Sequence, residues 1–204
     1  MGDEMAIVTV DFDGTLYQGN SFKIMFQVGK KKFTWKQWLI VSAGLIKACT
    51  IGLIKGKQAF KHLFFISFAK TFKGQTKQQL DEFFLELVNV GMKDVNMKLV
   101  GKIKEHQQNG DTVILLSGAL KPFLEMFAKQ LHLHVHIIST ELELNEESVC
   151  TGKIGSIING EEKVRKVQEW IEKDEKYKGN TSLEIWAYAD SESDIPLLNF
   201  VNIP

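Results

Sequence analysis

The feature that most constrains the fold of this 204-residue chain is a short apolar run, "MAIVTV" at residues 5–10, followed directly by "DFDGT". The run is rich in β-branched residues and has no polar alternation, which predicts a strand buried on both faces of a parallel sheet. Side chains two residues apart on a strand point to the same side, so Asp11 and Asp13 are expected to face one site. Two carboxylates that close together are stable when a divalent cation neutralises them or when one of them holds a proton.

Further strand signals alternate with helical ones along the chain. "TVILLS" at 112–117, "VHII" at 135–138 and "LEIWAYAD" at 183–190 resemble buried strands, and "ELELNEESVCTGKI" at 141–154 has the alternation and turn of a hairpin. The segment 161–176 begins with acidic residues and ends with lysines, the order that a helix dipole favours. Strands that alternate with helices predict an α/β fold with a parallel sheet.

Residues 17–100 differ from this pattern. They are dense in Phe, Trp, Lys and Gln, and they contain no proline and no strand-like alternation. Apolar residues recur at helical spacing within 80–87, and we expect the whole segment to form several helices in a compact insert. The most apolar stretch, 38–56, is interrupted by Lys47. It predicts a buried helix pair and no membrane span, with a helix lying on a membrane surface as the alternative.

Composition excludes some classes of function. Lys and Arg together number 25, as do Asp and Glu, so no basic excess indicates nucleic acid binding. The N-terminus is acidic where a signal peptide requires basic residues, and a cytoplasmic location is therefore expected. The two cysteines, Cys49 and Cys150, lie far apart in no metal-binding spacing, which favours free thiols.

Chemically active side chains follow three of the expected strands. Asp11 and Asp13 follow the first, Ser117 and Gly118 the second, and "ADSESD" with Asp190 and Asp194 the last. Ligands bind at the carboxyl ends of strands in open α/β sheets, so these groups are expected to meet. A lysine near a helix start, Lys163, completes the series, although a lone lysine is usually a solvated surface residue.

The order of these motifs resembles the haloacid dehalogenase superfamily, in the branch that includes phosphoserine phosphatase. "DFDGTL", "LLSG", "GEEK" and "ADSESD" stand at the four motif positions of the superfamily. The resemblance implies a Rossmann-like parallel sheet flanked by helices, with a helical cap inserted after the first strand. It assigns residues 1–16 and 101–204 to the α/β core and residues 17–100 to the cap.

The resemblance also implies catalytic roles. Asp11 would be the nucleophile that forms an aspartyl-phosphate. Asp13 would protonate the leaving oxygen and then deprotonate the attacking water. The Ser117 hydroxyl and the Gly118 N–H would bind phosphate oxygens, and Lys163 would offset the charge of the phosphoryl group.

A Mg²⁺ cofactor is the other implication of the resemblance. Its ligands would be the Asp11 carboxylate, the Asp13 main-chain carbonyl and Asp190, and Asp194 would steady Lys163 or a metal-bound water. Magnesium suits such a site because it takes few carboxylates together with phosphate oxygens and water.

The activity implied is Mg²⁺-dependent hydrolysis of a small phosphorylated metabolite by a monomer or homodimer. A phosphotransferase or phosphomutase with the same intermediate remains open, as does a phosphoaspartate signalling or binding protein. Phosphoserine is disfavoured. Relatives specific for it have a glutamate nine residues after the nucleophile, where this chain has Asn20, and a cap arginine, whereas the only arginine here is Arg165.

Overall fold

The structure is a computed structural model that describes residues 5–204, apart from the side chains of residues 57, 58 and 61. Residues 1–4 of the expected core lie outside the described residues. The strands are β1 (Ile7–Val10), β2 (Thr112–Leu120), β3 (His136–Thr140), β4 (Leu142–Leu144), β5 (Cys150–Ile154) and β6 (Ile185–Tyr188). The helices are α1 (Ser21–Lys32), α2 (Trp35–Lys55), α3 (Lys57–Ala69), α4 (Lys77–Gly91), α5 (Met97–Gln108), α6 (Lys121–Gln130), α7 (Glu161–Lys173) and α8 (Ile195–Phe200).

Four strands form a parallel sheet in the order β3-β2-β1-β6. The order places β1 between β2 and β6, so the carboxyl ends of these three strands lie side by side. The second pair, β4 and β5, forms an antiparallel hairpin, as the alternation within 141–154 predicted. The expected α/β class, with a parallel sheet flanked by helices and helices inserted after the first strand, is therefore confirmed.

Alternate residues of the central strands enter two separate apolar clusters. Val8 and Val10 of β1 pack in the larger cluster with residues of α1 to α6. Ile7 of β1 packs in the smaller cluster with Val167 of α7 and Leu197 of α8. Side chains alternate across a strand, so the sheet is covered on both faces, and this explains the unbroken apolar runs in the sequence.

The insert between β1 and β2 is helical. Thr34 and Thr76 begin α2 and α4 with capping boxes. In each, the threonine hydroxyl accepts from a backbone N–H of the first turn, and a glutamine side chain accepts from the backbone N–H of the threonine. The expected boundary at residue 100 falls inside α5, which packs on the core through Leu99, Val100 and Ile103. The division into cap and core at that residue stays a prediction.

The stretch 38–56 is not the buried helix pair that the sequence predicts, because residues 38–55 lie in one helix, α2, which packs closely against α3. A Cβ added at Gly44 would lie 2.2 Å from the Ser67 Cβ, so this glycine allows the two helices to approach. Only Val41, Gly44 and Ala48 of α2 are buried. The prediction was wrong for the outer face of α2, because no element of the described chain covers it.

Candidate active site

Asp11 lies at the carboxyl end of β1, in a position fixed by the backbone. Its N–H donates to the main-chain carbonyl of Tyr188 at 2.8 Å, and its side chain is buried. The turn that follows depends on Gly14, whose φ of 88° lies in the left-handed region. A Cβ at this glycine would lie 2.6 Å from Oδ2 of Asp190. The "DGT" turn therefore brings β1 close to the acidic segment after β6.

Lys163 joins the two acidic motifs. It is the third residue of α7 and is buried, which contradicts the expectation for a lone lysine. Its Nζ lies 2.6 Å from Oδ1 of Asp11 and 2.5 Å from Oδ1 of Asp194. The second oxygen of Asp194 accepts from the Ser191 hydroxyl at 2.6 Å. A buried ammonium thus pairs with one carboxylate from each motif.

Carboxylates outnumber the cation at this end of the sheet. Oxygens of Asp11, Asp190 and Asp194 all lie within 4.8 Å of one another. Thr15 orients Asp190 by donating to its Oδ1 at 3.0 Å. Three carboxylates against one lysine leave a formal charge of about −2, which a divalent cation would neutralise. Because the donors are hard oxygens, the residues present fit Mg²⁺.

Asp13 has a different environment from Asp11. Its Oδ1 accepts from the Ser21 N–H at 2.6 Å and its Oδ2 accepts from the Ser21 hydroxyl at 2.5 Å. Burial raises the pKa of Asp13 to about 6, and the hydrogen bonds from Ser21 only partly oppose it. Burial also raises the pKa of Asp11, and Lys163 opposes that shift. Asp13 can therefore exchange a proton close to neutral pH, the property required of an acid and base.

Ser117 and Gly118 lie where β2 becomes irregular. The register with β3 shifts after Ser117, and the strand runs on to Leu120, three residues further than the sequence predicted. The buried Ser117 Oγ accepts from the Ala119 N–H at 3.2 Å, so its own proton is available to a ligand. Gly118 borders a cavity of about 550 Å³.

That cavity joins the site to the insert. It extends from Asp13 to aromatic residues of α1 and α3, and its lining is Asp13, Asn20, Ser21, Phe22, Phe60, His62, Phe64, Phe65, Gly118, Ala119, Ile157 and Asn159. Asn20 also caps α1, because its side chain accepts from the Lys23 N–H at 3.0 Å.

The structure brings the expected residues together in two adjoining groups. Asp11, Lys163, Asp190 and Asp194 form the charged cluster, and Asp13 lies beside the cavity with Gly118. Asp194, which was expected to steady Lys163 or a metal-bound water, pairs with Lys163 and also has a carboxylate oxygen in the acidic cluster itself.

Sequence reasoning missed three hydroxyl residues at the site. Thr15, Ser21 and Ser191 hold the carboxylates of Asp190, Asp13 and Asp194, respectively. Two of them stand within or beside the quoted motifs, and Ser21 follows the helix-capping Asn20. A search for side chains that fix each carboxylate would have found Thr15 and Ser191, whereas Ser21 requires the path of the chain after Tyr17.

Replacing Lys163 with methionine is expected to destabilise the metal-free protein by about 3–5 kcal/mol, because two buried carboxylates lose their partner. Urea unfolding at pH 7 in a chelator measures the change. Lys166→Met is the matched control, since this partly exposed lysine on the same helix pairs with Glu169 and should cost below about 1 kcal/mol. Equal losses for the two variants would contradict the charge pairing described for Lys163.

Comparison with known proteins places this geometry in a family. The sequence matches the family model "haloacid dehalogenase-like hydrolase" over residues 8–199, and no curated protein matches it. A protein of unknown function from Bordetella pertussis Tohama I has a similar solved structure. Its TM-score is 0.71 at 20% identity, over 97% of this chain and 87% of that one.

Two further solved structures share the fold. A probable phosphoserine phosphatase from Vibrio cholerae superposes with a TM-score of 0.62 at 16% identity, over 95% of this chain and 53% of that longer chain. A phosphoserine phosphatase as a phospho-aspartyl intermediate analogue superposes with a TM-score of 0.54 at 14% identity, over 98% of this chain and 84% of that one. The family match spans nearly the whole chain, and the protein therefore belongs to the haloacid dehalogenase-like hydrolases.

Proposed function

We propose that this protein is a Mg²⁺-dependent phosphomonoester hydrolase that acts on a small phosphorylated metabolite through an aspartyl-phosphate intermediate. The observation that carries the proposal is the ion-paired Asp11 at the end of β1, within 4.8 Å of two further carboxylates. The family membership and the fold shared with phosphoserine phosphatases support it.

Asp11 would act as the nucleophile. Burial alone raises its pKa and would favour the uncharged form, but Lys163 at 2.6 Å opposes that shift. One carboxylate oxygen would attack phosphorus as the bond from phosphorus to the leaving oxygen breaks, giving an acyl-phosphate and an alkoxide that takes a proton. Lys163, at 2.6 Å from Asp11, would offset the charge that develops on the phosphoryl group.

Asp13 would supply and recover that proton. A pKa of about 6 leaves both the acid and the carboxylate populated near neutral pH. The acid form would protonate the leaving oxygen, and the resulting carboxylate would then remove a proton from the water that hydrolyses the acyl-phosphate. Ser21 holds both oxygens of this side chain and would fix its direction.

The remaining residues would bind the phosphate and the metal. The Ser117 hydroxyl, which accepts from the Ala119 N–H and can donate its own hydrogen, and the Gly118 N–H would donate to phosphate oxygens. Asp11, Asp190 and the Asp13 main-chain carbonyl would hold Mg²⁺, and Asp194 adds a carboxylate within the same cluster. When bound, Mg²⁺ would neutralise charge on the phosphoryl group.

The cavity favours a leaving group that is neutral or partly apolar. Phe22, Phe60, Phe64 and Phe65 contribute much of its lining, and among the described side chains that line it there is no lysine or arginine. Asn20 borders the cavity without a charge. The side chains of Lys57 and Lys61 in α3 lie outside the described residues.

Phosphoserine is therefore expected to be a poor substrate, with kcat/KM at least about 30-fold below that of the best neutral phosphomonoester. Its ammonium and carboxylate would lose solvation, at a cost of about 1–3 kcal/mol for each group. The described lining offers no lysine or arginine for the carboxylate and no carboxylate other than Asp13 for the ammonium. The measurement is hydrolysis of a panel of sugar, alcohol, nucleotide and amino-acid phosphates, each with Mg²⁺ and with a chelator. Phosphoserine within a few-fold of the best substrate would refute this specificity, and activity unchanged by chelation would refute the metal dependence.

A conservative variant sharpens the same experiment. Asn20→Asp keeps a side-chain oxygen that can cap α1 while adding a negative charge to the cavity. It should raise kcat/KM for phosphoethanolamine, which carries an ammonium and no carboxylate, relative to a neutral alkyl phosphate. No change in that ratio would place the leaving group away from Asn20.

A further inference from the structure

The outer face of α2 carries a continuous apolar stripe. Trp35, Leu39, Ile46 and Leu53 are 68%, 59%, 67% and 89% exposed. They are separated by four, seven and seven residues, a spacing that places all four on one side of a helix. Such a row of large exposed apolar side chains is uncommon on a surface in contact with water and indicates an interaction site.

Packing within the protein does not explain this stripe. The buried residues of α2 are Val41, Gly44 and Ala48, and they mark the opposite side of the helix, where it meets α3. A core helix would need a second apolar neighbour, and no side chain that the structure describes covers the stripe. The helix is long and apolar enough to cross a bilayer, but it is already held in the insert by α3 and it carries the exposed Lys47 at its middle.

Charge distribution identifies the kind of partner. Residues 14–80 contain 12 lysines and no arginine, aspartate or glutamate, whereas the whole chain has a formal net charge of zero. The rest of the chain therefore carries a formal charge of −12, the difference between zero and +12. Lys36 and Lys47 lie beside the stripe on the helix, and exposed Lys30 and Lys31 end α1 just before it.

We propose that α2 docks this face on an anionic lipid bilayer. The stripe would enter the boundary between headgroups and acyl chains, with the helix lying in the plane of the surface, and the lysines would face lipid phosphates. A second copy of the same face is disfavoured as the occupant, since it would bring two lysine-rich surfaces together. The acidic remainder of the chain would be repelled by the membrane, which sets the direction in which the protein docks.

Vesicle flotation of the full chain tests this inference without any assay of activity. Binding to phosphatidylcholine vesicles containing phosphatidylglycerol should exceed binding to pure phosphatidylcholine vesicles and should weaken as salt rises. Leu53→Glu and Ile46→Glu should each lower the partition coefficient at least about tenfold, because a large apolar side chain no longer enters the lipid. Lys36→Gln and Lys47→Gln should each lower it about fivefold.

Leu85→Glu is the matched control. This leucine of α4 is 48% exposed, but it lies among Asp81, Glu82 and Glu86, so its replacement should leave vesicle binding unchanged. The proposal is overturned if the wild-type chain stays with the soluble fraction, or if Leu85→Glu and Leu53→Glu reduce binding equally. A dimer in sedimentation experiments that Leu53→Glu dissociates, without vesicle binding, would instead assign the stripe to a second copy.

Discussion

Replacing Asp11 with asparagine is expected to reduce phosphatase turnover by at least about 10³-fold, the scale on which loss of an essential nucleophile acts. Asparagine has nearly the same shape, and its amide cannot form the acyl-phosphate. The measurement is kcat for the best substrate found in the panel, with single-turnover trapping of labelled phosphate on the protein. Wild-type protein should retain label and Asp11→Asn should retain none.

The fold of that variant must be shown to persist. Lys163 keeps Asp194 as a partner at 2.5 Å when Asp11 loses its charge, so thermal unfolding should change little. Asp81→Asn is the control, because this surface carboxylate pairs only with Lys77 in the described structure and should leave turnover at the wild-type level. A folded Asp11→Asn protein with a tenth of wild-type activity would exclude Asp11 as the nucleophile.

Asp13→Asn is expected to lower kcat by about 10²–10⁴-fold for an alkyl phosphate and by much less for nitrophenyl phosphate, whose leaving oxygen needs little protonation. Mg²⁺ affinity should change little, since the proposed metal ligand at this position is a main-chain carbonyl. Parallel kinetics on the two substrates, with Mg²⁺ titrations of both proteins, provide the comparison. An equal loss on both substrates would be inconsistent with a proton-transfer role.

The dependence on pH provides a second readout for Asp13. Its pKa is raised to about 6, so the protonated acid is lost as pH rises through 6 and kcat/KM for an alkyl phosphate should fall above that pH. A phosphate monoester also titrates near pH 6, and the pKa of Asp11 is raised as well, but both groups are present in the wild-type and Asp13→Asn proteins. The difference between the two pH profiles therefore isolates the contribution of Asp13. Identical profiles for the two proteins would remove Asp13 from the proton transfer.

The same pKa has a consequence for stability. A carboxyl group with a folded pKa near 6 and an ordinary unfolded value of 3.8 binds its proton more tightly in the folded protein. Asp13 therefore adds its full contribution to the stability of the folded protein below about pH 4, and this contribution is lost as pH rises through 6. The cause is burial, which disfavours the charged form, and the hydrogen bonds from Ser21 offset only part of that cost.

Local patterns were sufficient for the layout of the fold. The apolar runs predicted β1, β2, β3 and β6, because the strands of a parallel sheet that helices cover on both faces are largely apolar. The hairpin at 141–154 was also predictable from its alternation of apolar and polar residues. Helix α7 was predictable from its acidic residues at the start and lysines at the end, the order that the helix dipole favours. Motif order gave the family, which the match over residues 8–199 confirms.

The environment of each side chain could not be predicted in this way. Lys163 resembles any surface lysine in the sequence, and only the packing of α7 against the sheet buries it between Asp11 and Asp194. The pairing of Asp13 with Ser21 depends on how the chain turns after Tyr17 to begin α1. These are contacts between distant or irregular segments, which local propensity does not encode.

The two most apolar parts of the chain also show what the sequence determines and what only the tertiary structure decides. The sequence by itself determined that residues 5–10 contain a strand and that residues 38–56 are mainly helical, because a short β-branched apolar run suits a strand and a longer apolar run suits a helix. Only the tertiary structure decided that β1 is covered on both faces while the outer face of α2 is left exposed. The physical reason is that apolar residues favour burial, but whether a given apolar face is buried depends on which other helices and strands pack against it in the folded chain.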